Sequence, residues 1–189
     1  MLAALRNEKP APATGAEAYQ LRIWDGRTRS FSDRPFDRQR AIAFAARRLL
    51  ILMKQAGYRE ASIVPIPSTG HVQPDAPFLG AFIARAIEER DPRFVCRPVL
   101  SFAQPLPRSS PGGRRTATAV RVNLRSGTLG GLGRVILIDD VMMSGAHMRG
   151  AAAFLLEKGI RVEDGFVVAR PAEAPPEDMM RVPPVELRL

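Results

Sequence analysis

Hydrophobic positions along the chain switch between two periods. Val135, Ile136, Leu137 and Ile138 form an unbroken aliphatic run, the pattern of a strand buried on both faces of a parallel sheet. Ile63, Val64 and Ile66 make a second run within 61–66. Phe94 to Cys96 supply a short third, and Val162, Phe166, Val167 and Val168 a fourth within 161–168. Between these runs apolar residues recur at three-and-four spacing. Ile42, Ala45, Ala46, Leu49, Leu50 and Met53 predict a helix from Pro35–Asp37 to about Ala56, stopped by Gly57. Phe78, Leu79, Phe82, Ile83 and Ile87 predict another over 77–90, and the Ala- and Leu-rich stretch after Gly145 predicts a third ending at Gly159. Near the start, Leu21, Ile23 and Trp24 lead into Asp25-Gly26 and Thr28 to Phe31 return, which reads as a hairpin.

Apolar runs alternating with helical stretches predict an α/β fold, a parallel sheet with helices on both faces. Four regions follow. Residues 1–18 lack any period and read as a flexible arm. The hairpin and helix of 19–57 form a flank or part of a hood, 58–170 the α/β core, and 171–189 a Pro- and Glu-rich tail that could complete the hood. Within the core, 98–133 breaks the pattern with prolines, glycines and the arginines Arg108, Arg114, Arg115, Arg121 and Arg125. A connection of that length inside a domain is usually functional or disordered. Taken singly, each arginine is about as readily a solvated linker residue as a site.

Composition narrows the class. At 189 residues and 46% hydrophobic, the chain holds one core of ordinary size. Its start, MLAALRNEKP, turns charged and proline-bearing too soon for a signal peptide, and no apolar run is long enough to cross a bilayer. The single cysteine, Cys96, excludes an internal disulfide and suits a reducing compartment, so a cytoplasmic protein with a buried, inert thiol is expected. The net charge of +9, carried almost wholly by arginine, favours phosphate-bearing partners: a small polyanion or nucleic acid. No Cys/His finger or aromatic RNA-binding signature favours the second.

Chemistry concentrates after the Val135–Ile138 run. Asp139 and Asp140 follow where the strand should leave the sheet, then the small turn Ser144-Gly145-Ala146, then a helix. In open α/β sheets ligands sit beyond the carboxyl ends of the strands. A helix N-terminus there offers amides and partial positive charge to a phosphate. The two carboxylates suit sugar hydroxyls, or water held on Mg2+. A phosphate at one end and a diol at the other describe a ribose 5-phosphate. One βα unit earlier, Ser68-Thr69-Gly70 follows Ile66 and Pro67, a small-residue loop able to turn amides toward an anion. The adjacent His71 is expected at the surface.

The segment Asp139-Asp140-Val141-Met142-Met143-Ser144-Gly145-Ala146-His147 resembles the phosphoribosyl-diphosphate (PRPP) signature of the type I phosphoribosyltransferases. Arg114-Arg115-Thr116 followed by Arg121-Val122-Asn123-Leu124 is similar to the segment preceding that signature in the ComF-like branch. The likeness spans roughly residues 60–168. Met143 and His147 stand where that family usually has Thr, and the zinc-binding cysteine cluster of many ComF-like members is missing. The resemblance implies a Rossmann-like core with a small hood and transfer of a phosphoribosyl group from Mg2+-PRPP to a nitrogenous base, with release of diphosphate. It implies ribose contacts, and Mg2+ reached through water or ribose hydroxyls, at Asp139 and Asp140. It places the 5-phosphate on Met143, Ser144, Gly145, Ala146 and His147, the diphosphate on Ser68, Thr69 and Gly70, and catalytic arginines at Arg114 and Arg115. Expected partners are PRPP, a base or another phosphorylated ligand, and a second copy of the chain as homodimer, with no membrane. The other reading is a non-catalytic PRPP or nucleotide sensor, or a DNA-uptake accessory, whose basic surface touches nucleic acid. A third is a generic nucleotide-binding α/β domain using the same pocket.

Overall fold

A computed structural model describes residues 18–22, 28–32, 35–106, 116–142 and 144–169. Strands β1 (Ala18–Arg22) and β2 (Thr28–Ser32) pair antiparallel, as the hairpin pattern predicts; its Asp25-Gly26 turn lies outside the described residues. Helix α1 (Pro35–Gln55) follows, then β3 (Ala61–Pro65), α2 (Leu79–Glu88) and β4 (Phe94–Cys96). After these come β5 (Leu100–Phe102), α3 (Ala117–Asn123) and β6 (Leu124–Ser126). The last elements are β7 (Val135–Val141), α4 (Ala146–Glu157) and β8 (Val162–Ala169).

The main sheet has strand order β4-β3-β7-β8, every pairing parallel. Alternate side chains of β7 explain why the aliphatic run shows no polar alternation. Ile136 and Ile138 face a core shared with α1 and α2, around Leu49, Met53, Ile83 and Ile87. Val135 and Leu137 face a second core shared with α3 and α4, around Val120, Ala151 and Leu155. All four are at most 1% exposed, and each buried aliphatic of this size stabilises by about 1.5–3 kcal/mol. Helices therefore cover both faces, in an α/β layer arrangement. No helix among the described residues is long and apolar enough to cross a membrane.

The Pro/Gly/Arg-rich segment, read as a connection that is functional or disordered, holds short elements of its own. It contains β5 and β6, which pair antiparallel, and the seven-residue α3. Elements of three to seven residues are too short to show a period, and tertiary packing holds them. A Cβ at Gly150 of α4 would lie 2.7 Å from the Ala117 carbonyl and from Val120. Only a glycine lets α3 come that close to α4. Thr116 caps α3 by accepting the Ala119 amide at 3.1 Å.

Sheet order also fixes where ligand space can open. From β3 the chain crosses through α2 to β4 on one side. From β7 it crosses through α4 to β8 on the other side, and α2 and α4 lie on opposite faces. The loops leaving β3 and β7 thus diverge, and the boundary between these strands is the topological switch point of the sheet.

Candidate functional site

At that switch point the loops after β3 and β7 start side by side. Pro65 is in register with Ile138, and the Ile66 amide donates to the Ile138 carbonyl at 2.9 Å. Asp139 is the next residue of β7, so the strand delivers its carboxyl to the edge of the crevice. Asp139 and Asp140 do not follow the strand, as the pattern suggests, but are part of its last three residues. Asp139, held between β3 and β8, is 8% exposed, while Asp140 is half-buried.

Electrostatics separates the pair. The Asp139 carboxylate accepts the Asp140 amide at 3.0 Å, and Asp140 accepts the Val141 amide at 2.8 Å. Burial, reinforced by the neighbouring Asp140 charge, pushes the Asp139 pKa up to about 8. At neutral pH Asp139 is a neutral acid that both donates and accepts a hydrogen bond, beside a second carboxyl open to solvent. That combination suits a vicinal diol.

Beyond β7, Met142 is buried and its amide donates to the Ala169 carbonyl of β8 at 3.0 Å. Met143 lies outside the described residues. Ser144 is exposed, and Gly145 adopts the left-handed conformation, φ 73°, as N-cap of α4. A side chain there is strained, so the sharp entry into α4 demands glycine. Gly145 offers no capping group, and the first-turn amides have no carbonyl four residues back within the helix. The Ser144 hydroxyl makes only a long contact, 3.4 Å, with the Ala146 amide. Arg149 reaches back to the Ser144 carbonyl at 2.8 Å, setting a guanidinium beside the turn. Half-buried His147 lies with its ring centroid 6.1 Å from that of Phe102.

On the β3 side Pro67 is buried, Ser68 and Gly70 are exposed and Thr69 is half-buried. A Cβ at Gly70 would meet nothing within 4 Å, so the backbone is open on that side. Three backbone bonds shape the loop. The His71 amide donates to the Ser68 carbonyl at 2.8 Å, the Leu106 amide to the Thr69 carbonyl at 2.8 Å, and the Phe102 amide to the His71 carbonyl at 2.9 Å. His71 is not at the surface as expected: it is 5% exposed, its ring tilted against Phe78 at 4.3 Å between centroids. The Phe78 ring covers it, and its carbonyl is tied to Phe102 of β5, which local polarity does not reveal.

The structure thus places Ser68, Thr69 and Gly70 at the carboxyl end of one strand and Asp139, Asp140, Ser144, Gly145, Ala146 and His147 at that of its neighbour. Arg108, Arg114 and Arg115 and the tail from 170 onward lie outside the described residues. Among the described residues no three His, Cys, Asp or Glu side chains gather as a metal cage. The Asp139–Asp140 pair fits Mg2+ only if ligand and water provide the remaining oxygens, as this ion commonly accepts. Cys96 is half-buried, and burial pushes its thiol up to about 11, which leaves it inert.

An open cleft of about 630 Å³ lies at the opposite, amino end of the sheet, lined by Tyr58, Gly133, Arg134, Gly159, Arg161 and Glu163. Its polar groups already serve one another. Arg134 holds Glu163 with both Nε and a terminal nitrogen, at 3.0 and 2.6 Å, and stacks over Tyr58 at 4.8 Å. The Tyr58 hydroxyl donates to Asp164 at 2.6 Å. Ligand chemistry therefore favours the switch point. No protein-family model matches the chain, and no curated protein sequence matches it.

Proposed function

We propose that the protein is a type I phosphoribosyltransferase-like enzyme. It binds Mg2+-PRPP at the switch point and transfers the phosphoribosyl group to a nitrogenous base. The observation that carries this reading is the joint position of two loops: the acidic end of β7 with its left-handed glycine turn, and the open Ser68–Gly70 backbone beside it. Amides of the α4 entry receive the 5-phosphate, with Ser144 and Arg149 beside them. Asp139 and Asp140 hold the ribose hydroxyls, and amides of the Ser68–Gly70 loop take the diphosphate. In the reaction the ribose C1–O bond to diphosphate breaks and a C1–N bond to the base forms, while the base loses its N–H proton to solvent or to the leaving group. Charge builds on the departing diphosphate, so preorganised amides and Arg114 or Arg115 would act there. Bound Mg2+ would add charge neutralisation at the diphosphate.

The test pairs binding with turnover. Wild-type protein given Mg2+-PRPP and a panel of bases should release diphosphate. The double variant Asp139→Asn/Asp140→Asn should lose PRPP binding by about thirtyfold or more, one neutral contact at about 1 kcal/mol and one charge-assisted contact at roughly 1.5–3 kcal/mol, with its circular dichroism unchanged. Unaltered affinity in the double variant would remove the ribose site. PRPP binding without turnover would instead favour a sensor, the reading that His147 in a usual Thr position supports.

A further inference from the structure

We propose that His71 is a proton-linked positioning residue of the Ser68–Gly70 loop: the imidazole sealed behind the loop takes up a proton when diphosphate settles on the loop amides, so that anion binding and His71 protonation form one coupled event. The inference rests on the assignment of that loop to the diphosphate. Its own support is a group that the sheet and the pocket chemistry above leave without a task. His71 Nε2 is buried without a hydrogen-bond partner, in a side chain only 5% exposed. A buried imidazole nitrogen without a partner is costly, and such an atom in a native site calls for a reason.

The backbone of His71 explains how its ring could act on the loop. Its amide closes the turn on the Ser68 carbonyl, and its carbonyl fastens the turn to Phe102 of β5. The ring cannot swing outward without disturbing the packing on Phe78. The ring is sealed from solvent. Burial alone lowers its pKa from the ordinary 6.5, and no charged group contributes. Phe78 and Phe102, the neighbours that hold it, carry no charge. The titratable or charged groups around the crevice are Asp139 and Asp140 on β7, His147 and Arg149 on α4, and Asp75 in the β3–α2 connection. A polyanion on the loop would be the missing counter-charge. Within several ångströms and at protein-like dielectric, it would raise the imidazole pKa by about one unit or more.

The sign follows from linkage. A proton taken up on binding makes affinity rise as pH falls from the bound-state pKa of His71 to its free-state pKa, and flat below both. The probe is inorganic diphosphate, with the full-length chain and no metal, so that Asp139 and Asp140 are not drawn in by Mg2+ or ribose. The chain has two histidines, and His71→Phe identifies the His71 imidazole signals by their disappearance. In the wild type, saturating diphosphate should raise the His71 midpoint, followed by imidazole NMR, by about one pH unit, and affinity should tighten about tenfold between pH 8 and pH 5 beyond the change in His71→Phe. The ligand's own titration is common to both proteins and cancels. Should His71→Phe fail to fold, His71→Gln provides the comparison, and the wild-type NMR midpoint stands without any variant. Diphosphate binding with an unmoved His71 midpoint overturns the inference and leaves the proposed site intact. No diphosphate binding by the wild type overturns both.

Discussion

The two ends of the same parallel sheet solve opposite problems. At the amino end, polar groups close on one another: Arg134 on Glu163, Tyr58 on Asp164, and Lys54 and Arg93 on Asp91. The Asp91 carboxyl consequently lies well below the usual carboxylate range, and Glu163 is lowered by its Arg134 partner. At the carboxyl end the acids have no cationic partner among their resolved contacts. Asp139 is pushed up toward 8 by burial beside Asp140, and His71 is pulled down. One end is arranged for stability, and the other keeps a carboxyl and an imidazole that burial holds away from their charged forms. Such costs collect at functional sites. The comparison explains why the cleft at the amino end is the poorer candidate.

The largest effect that would sharpen this contrast is on stability at Asp139. Its folded pKa, about 8, exceeds the unfolded value near 3.8. Its contribution is therefore favourable below pH 4 and is lost as pH rises toward 8, the reverse of a salt-bridged aspartate. Asp139→Asn should raise the unfolding free energy near pH 8 by about 2–3 kcal/mol. The gain should shrink toward pH 4 in urea titrations at several pH values. A loss of stability at pH 8 would break the contrast, because the carboxylate would then be well accommodated.

A smaller change is expected at the amino end. Tyr58→Phe removes one hydrogen bond to a carboxylate on the exposed side of β8 and should destabilise by about 1 kcal/mol, leaving PRPP binding unchanged. Thermal unfolding and a binding isotherm measured together would show it, and a fall in affinity would mean that the two ends are coupled. The smallest effect belongs to Arg134→Met. Its pairing with Glu163 is exposed, and such surface pairs contribute little to stability. The loss should vanish in high salt, and one that persisted would assign the energy to the stacking on Tyr58 instead.

Much of the architecture was legible because burial writes itself into local pattern. The unbroken run Val135–Ile138 could belong only to a strand covered on both faces, and the spacing through Ile42–Met53 only to a one-sided helix. The acidic pair and Gly145 were legible for a different reason: their chemistry requires those residue types wherever the chain turns. Elements β5, α3 and β6 were not, since three to seven residues carry no measurable period and α3 depends on the absent side chain of Gly150.

By itself, then, the sequence determined the α/β alternation, the elements of the sheet and the acid-turn-helix order from the end of β7, since each is encoded by neighbours within about ten residues. Tertiary structure decided the strand order β4-β3-β7-β8, and with it the crevice where the two loops part. It also buried His71 and raised the Asp139 pKa. Desolvation depends on whatever packs around a group: β8, far away in sequence, lies beside Asp139, and the Phe78 ring lies on His71.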